Sequence, residues 1–179
     1  MLTITIPETE VWDEKLMEFR TIKQQTLKLE HSLVSISKWE SKWKKIFFSN
    51  EPKTINETID YIKCMTITQN VNPEVYNVLT EKNINEINNY IKDPMTATTF
   101  SDQRNTPNRE IISSELIYYW MFSMNIPMEC QKWHVSRLLT LIRICSIKNQ
   151  PSKKMSRGEI LKRNASLNAA RRKGLKTKG

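Results

Sequence analysis

Glycine is almost absent: Gly158, Gly174 and Gly179 are the three in 179 residues. A phosphate-cradling loop or a dinucleotide fingerprint needs glycine where backbone closely approaches phosphate. The first 157 residues offer none, which excludes both motifs there. Cysteine is scarce as well: Cys64, Cys130 and Cys145 form an odd set without a C-x-x-C pair. That predicts free thiols in a reducing compartment. No run reaches the roughly 18–20 apolar residues of a membrane span. Met1 to Pro7 show no basic region followed by an apolar block, which predicts no secretory signal. There is no G-x-S-x-G, and the two histidines, His31 and His134, have no signature nucleophile nearby. Glu57 is explained by capping, and Asp60, Glu110 and Glu115 by a solvated surface. These absences predict a protein that is not an enzyme and uses no cofactor, no metal and no membrane.

What is present is a charge asymmetry. Residues 148–179 hold eleven basic side chains against one acid, Glu159, a net charge of +10. The remaining 17 basic and 18 acidic residues leave residues 1–147 at −1. Such an arm is the electrostatic footprint of a polyanion or an acidic partner surface, and equally that of a solubility tail.

The hydrophobic pattern predicts a mainly α protein. Leu2, Ile4 and Ile6 alternate with Thr3 and Thr5, a strand ended by Pro7. Phe19–Ile22 and Leu27–Leu29 are its expected partners, giving a small N-terminal β-hairpin element within residues 1–29. Leu33, Ile36, Trp39, Trp43, Ile46 and Phe47 share one helical face, with both tryptophans in the core. Thr54 and Glu57 have capping-box spacing before Ile55, Ile59, Ile62 and Thr66, predicting a helix to about residue 68. Asn72-Pro73 starts a short helix to Leu79. A further helix carries Ile84, Ile87 and Ile91 inward. Residues 93–109 read as a long loop. Ser113 or Ser114 caps a helix holding Leu116, Ile117, Trp120 and Met121. The last body helix is expected from Met128 to Ile147, apolar nearly all round and therefore central. On it Cys130 and His134 would share a face with Cys145. The spacings fit no zinc module, so core thiols and one hydrogen-bonded histidine are expected.

A polar linker, residues 148–156, follows this helical body of residues 1–147. The arm, residues 157–179, opens with the most completely written helix of the chain. Ser156 and Glu159 form a capping box, and Met155 with Ile160 a hydrophobic staple. Arg171, Arg172 and Lys173 suit the negative helix end, and Gly174 is placed to stop it. Ile160, Leu161, Asn164, Leu167 and Asn168 fall on one face, flanked by Arg171 and Arg172, with Arg157 and Arg163 nearby. That face is too weakly apolar for a core and suits docking on a partner. Asn164, Asn168 and Arg171 are also residue types that read base edges, though no helix-turn-helix partner is evident.

Several strings carry a resemblance. Leu29-Glu30-His31-Ser32-Leu33, Ser37-Lys38-Trp39-Glu40-Ser41-Lys42-Trp43 and Asp93-Pro94-Met95-Thr96-Ala97-Thr98-Thr99 are three of them. Gln131-Lys132-Trp133-His134 and the ending from Lys154-Met155-Ser156-Arg157 to Asn168-Ala169-Ala170-Arg171-Arg172 complete the set. Together they resemble a family of small tail-module proteins of tailed bacteriophages, regarded as tail assembly chaperones. The resemblance spans nearly the whole chain. It implies a host-cytoplasmic assembly chaperone that holds an aggregation-prone tail protein, the tape measure protein, or a tail tube component. A structural virion component at the tail or head–tail junction, with the arm docked on a neighbouring subunit, is the alternative, and a nucleic-acid-binding module the third. A homo-oligomer is compatible with each.

The arm is read as detachable, because residues 148–179 lack a strong apolar face. A chain ending at Asn149 is therefore expected to melt cooperatively within a few degrees of the full-length protein, measured by calorimetry. An insoluble or non-cooperative product would place the arm in the core.

Overall fold

A computed structural model describes residues 1–14, 17–100, 111–149 and 156–175. The fold is mainly α with a small N-terminal antiparallel hairpin. The chain divides into two compact units, Met1–Ile147 and Lys148–Gly179.

The hairpin is longer than the alternation predicts. Strand β1 (Leu2–Ile6) pairs with β4 (Gln25–Leu29), and β2 (Thr9–Asp13) pairs with β3 (Glu18–Ile22). Paired residue numbers add to 31 in both ladders, so they are two halves of one hairpin. The interruption falls at Pro7, which has no amide to donate. Phe19–Ile22 therefore pairs with β2, which the alternation had left unassigned, rather than with the first strand. Ile4, Ile6, Ile22, Leu27 and Leu29 face the core.

Among the described residues six helices follow, α1 (Leu33–Trp43), α2 (Ile55–Met65), α3 (Glu81–Lys92), α4 (Ser114–Ser123), α5 (Val135–Asn149) and α6 (Arg157–Leu175). Pro73–Val78 and Met128–Lys132 are 3-10 turns. The expected caps form: Thr54 with Glu57, Asn72 on the Glu74 amide, and Ser113 on the Leu116 amide. Thr80 caps α3 through Asn83.

The buried faces correct several expectations. Helix α1 ends at Trp43, so Ile46 and Phe47 lie beyond it. Lys44 takes the left-handed conformation, φ 55°, and turns the chain. Glu40 drives that turn: its carboxylate is buried and accepts the Phe47 and Ser114 amides, each at 2.8 Å. On α2, Tyr61, Ile62 and Met65 point inward, whereas Ile55 is exposed and Thr66 lies past the helix end. On α3, Asn83, Ile87 and Tyr90 are buried and Ile84 is not. The helix expected from Met128 to Ile147 breaks at Trp133 and His134, and its second part, α5, continues to Asn149. The linker expected from residue 148 thus begins with two helical residues.

Nor is α5 central, since Val135, Leu138 and Ile142 alone are fully buried on it. That position belongs to α1. Its Ile36 and Trp39 join the cluster of the hairpin, α2 and α3, while its Leu33 joins Ile117, Met121, Leu138 and Ile142.

Two histidines meet in the interior. The rings of His31 and His134 lie edge to face, 4.9 Å between centroids. His31 Nδ1 is hydrogen-bonded to the Tyr61 hydroxyl. His134 Nε2 bonds the Tyr90 carbonyl at 3.0 Å, while its Nδ1 accepts the Ser136 amide at 3.3 Å. That fixes a neutral ring with the proton on Nε2. Burial, and after it the neighbouring His134, pushes His31 down from 6.5 to about 3. Burial also holds His134 below its ordinary value.

Two outcomes follow from these contacts. Unfolded histidine titrates near 6.5, so the native state binds fewer protons below that pH and loses stability as pH falls. From His31 the loss is about 1.4 kcal/mol per pH unit between about 6.5 and 3, and His134 adds in the same direction. Urea titrations at stepped pH measure it, and a flat profile from pH 7 to 5 would refute the neutral pair. At the α1 turn, Glu40→Ala leaves two amides unpaired and is expected to cost about 2–5 kcal/mol. Lys44→Gly relieves a left-handed side-chain conformation and is expected to gain about 1 kcal/mol. Equal signs for the two variants would contradict this geometry.

Candidate functional site

The arm builds the predicted site on one continuous helix. Ser156 donates its amide to Glu159 Oε2 at 2.8 Å, and the Glu159 amide returns to Ser156 Oγ at 3.2 Å. The Ser156 amide, and then its hydroxyl, hold the Glu159 carboxyl below its ordinary value. The staple residue Met155 lies outside the described residues. At the other end the helix passes through Gly174 to Leu175, one correction to the predicted stop. No described glycine has positive φ, so Gly174 is helical rather than a left-handed stop.

All nine predicted partner-binding residues lie on α6, and no residue of that helix is buried. At 3.6 residues per turn, eight of them share an arc of about 140°. In angular order they are Leu167, Ile160, Arg171, Asn164, Arg157, Asn168, Leu161 and Arg172. Arg171 thus lies inside the face rather than on its flank. Arg163 lies about 40° outside, beyond Leu167. Ile160, Leu161 and Leu167 are 45%, 63% and 46% exposed. Leu175 falls at the middle of the same arc and is 73% exposed, an apolar residue absent from the predicted set. The opposite side carries Glu159, Lys162, Ser166, Ala169, Ala170 and Lys173. The face therefore mixes apolar, hydrogen-bonding and cationic side chains across its width, which suits a polar–apolar protein surface.

Elsewhere the body holds less chemistry. Cys130 and His134 do not share a helical face, because Cys130 lies in a 3-10 turn and His134 in the break after it. Cys130 is buried, whereas Cys64 and Cys145 are half-buried. Burial raises the Cys64 and Cys130 thiols above their ordinary value, which makes them poor nucleophiles. Among the described residues no three His, Cys, Asp or Glu side chains are grouped to hold a metal ion. No helix among them is long and apolar enough to cross a membrane. An open cleft of about 600 Å³ lies beside the hairpin, lined by Val11, Trp12, Ile22 and Val78, with the Arg20–Glu74 ion pair at 3.1 Å.

One surface escaped the sequence reading. In the outer half of the hairpin Trp12, Met17 and Phe19 are 45%, 72% and 68% exposed. The available signal was Val11-Trp12, two strand-forming residues, the second of them opposite Phe19 across a short turn. Comparison with known proteins adds no relative: no family profile, curated protein or solved structure matches this chain.

Proposed function

We propose that this chain is a non-enzymatic assembly chaperone of a tailed-phage tail module, and that its arm holds the tape measure protein before the tail closes around it. The observation that carries the reading is the exposure of Ile160, Leu161 and Leu167 on a helix that also presents Arg157, Arg171 and Arg172. A helix with no buried residue gains most by ordering against another molecule. A long helical partner can offer a groove into which such a face lies. The apolar side chains anchor the contact and Asn164 with Asn168 bond near its centre. The arginines steer the encounter. The resemblance in the strings around Trp39, Asp93 and Trp133 supports the phage setting.

Ile160→Asp with Leu167→Asp is expected to leave the body folded and to lower the yield of soluble co-expressed tape measure protein at least about tenfold, a loss of about 1.4 kcal/mol or more. Arg171→Glu with Arg172→Glu is expected mainly to slow association and flatten its salt dependence. If the arginine changes dominate and the apolar changes are neutral, the arm is a nucleic-acid contact, recognised by DNA affinity that falls steeply with salt. Mass spectrometry of purified virions separates the remaining reading. A chaperone is absent from them, whereas stoichiometric copies mark a structural component. Normal tails from the double aspartate variant would reduce the arm to a solubility tail.

A further inference from the structure

The hairpin tip and the arm have matching chemistry on opposite signs of charge. Trp12 and Phe19 are directly paired across β2 and β3, and their rings meet edge to face at 5.0 Å. Because side chains alternate along a strand, both lie on the face opposite Ile22, which is buried. The aromatic pair therefore stands on the hairpin's solvent face, and Met17, at the turn, is 72% exposed. Residues 8–18 hold five acids, Glu8, Glu10, Asp13, Glu14 and Glu18, and one base, Lys15, a net charge of −4. Arg20, just beyond, pairs with Glu74 on the other face. An exposed aromatic pair within an acidic segment is an unusual surface for a soluble body to leave open.

The arm supplies the complement. It carries exposed Ile160, Leu161 and Leu167 within a segment of net charge +10. Both halves belong to one chain, so every copy carries one donor and one acceptor. We propose that copies of this chain associate head to tail, the basic helix of one copy docking on the Trp12–Phe19 hairpin face of a second. The contact is heterologous, because the two surfaces differ, and it propagates into a ring or a filament. Opposite charge speeds the encounter and fixes orientation, and the apolar groups supply the holding energy. An acidic, partly apolar client would compete for the same helix. Self-association would then keep the arm covered until a client displaces it.

Sedimentation velocity of the purified full-length chain tests this without any client, so its failure is distinct from failure of the chaperone reading. The wild-type protein is expected to sediment above monomer mass at low salt, and to associate at least about tenfold more weakly at ~0.5 M salt. Trp12→Ser with Phe19→Ser removes the acceptor, and Ile160→Asp with Leu167→Asp removes the donor. Each double variant alone is expected to be monomeric with its melting temperature unchanged. Mixed, the two retain one working arm and one working hairpin between them, and form a one-to-one dimer and nothing larger. Should the serine variant unfold the hairpin, Glu10→Lys with Glu14→Lys keeps the aromatics and is expected to weaken association at least about tenfold. Arg171→Glu with Arg172→Glu on the mixing partner should then restore it. A wild-type monomer at every concentration, or a mixture that stays monomeric, would overturn the proposal.

Discussion

Two uncharged imidazoles in contact set the constraint around which the body is arranged. His31 and His134 come from segments more than a hundred residues apart, and each is tied to a different neighbour. The His31 carbonyl accepts the Val135 amide at 2.8 Å, and Ser32 forms an antiparallel bridge with His134. The His134 ring spans from the Tyr90 carbonyl at the end of α3 to the Ser136 amide at the start of α5. Tyr61 on α2 closes the other side through His31. The hairpin, α1, α2, α3 and α5 therefore converge on two rings. A charge on either would lie in a low dielectric beside a potential second charge. Protonating His134 would also remove the lone pair that caps α5. The break at Trp133 and His134 follows from this. A helix continued from Met128 would turn the ring away from Tyr90 and forfeit the bridge to Ser32.

The same convergence explains why α1 rather than α5 is central. The chain leaves the hairpin at Leu29, crosses the histidine junction and enters α1 through the Ser32 cap. Leu33 then points to one cluster while Ile36 and Trp39 point to the other. The Trp39 indole donates to the Glu57 carbonyl at 2.8 Å, and the Glu57 carboxylate accepts Lys45 at 2.6 Å and the Thr54 amide at 2.7 Å. Lys53 seals this edge, donating to the Phe47 carbonyl at 2.8 Å with its ammonium 4.4 Å from the Phe47 ring centroid. Burial holds that ammonium below its ordinary value. With no glycine in the body, its left-handed turns fall to Met17, Lys44, Asn70, Met95 and Asn125 among the described residues. Asparagine tolerates this conformation better than lysine or methionine. At Lys44 the cost is offset by the Glu40 carboxylate, which accepts the Phe47 amide just past the turn.

What was legible in the sequence was local, and what was not depended on distant partners. Capping pairs such as Thr54 with Glu57 and Ser156 with Glu159 were readable, because hydroxyl and carboxylate meet backbone groups three residues away. The mainly helical class and the first strand were readable from periodicity. The inward faces of α2 and α3 were readable only in part: Ile62 and Ile87 are buried as expected. Isoleucine spacing pointed to Ile55 and Ile84, yet Glu57, Tyr61, Asn83 and Tyr90 are buried instead, each satisfied by a specific hydrogen bond. Apolar periodicity cannot register a polar residue whose partner lies far along the chain. The end of α1 was hidden likewise. Ile46 and Phe47 continue the apolar pattern, but the Phe47 amide is taken by Glu40. The arm's residues were all placed on one helix by its sequence, and Leu175 was lost only because Gly174 was read as a stop.

The contrast between body and arm bears on how recognition is divided in this chain. In the body, nearly every polar group with buried atoms has a partner, and Trp43 Nε1 stands as the exception among the described residues. Such saturation leaves little for a ligand to satisfy. In the proposed reading, recognition falls to two of the exposed surfaces that carry apolar side chains: the hairpin tip and one arc of α6. Neither resembles a core face. The tip sets aromatics among carboxylates, and the arc sets leucines among arginines and asparagines. A purely apolar patch of either kind would bind any unfolded chain and aggregate. Adding charge of one sign to each narrows the set of compatible surfaces to those of opposite sign. It also makes contact reversible by salt or by a better-matched competitor. Under the proposed chaperone reading, a protein that holds a partner and later releases it needs that reversibility more than it needs affinity.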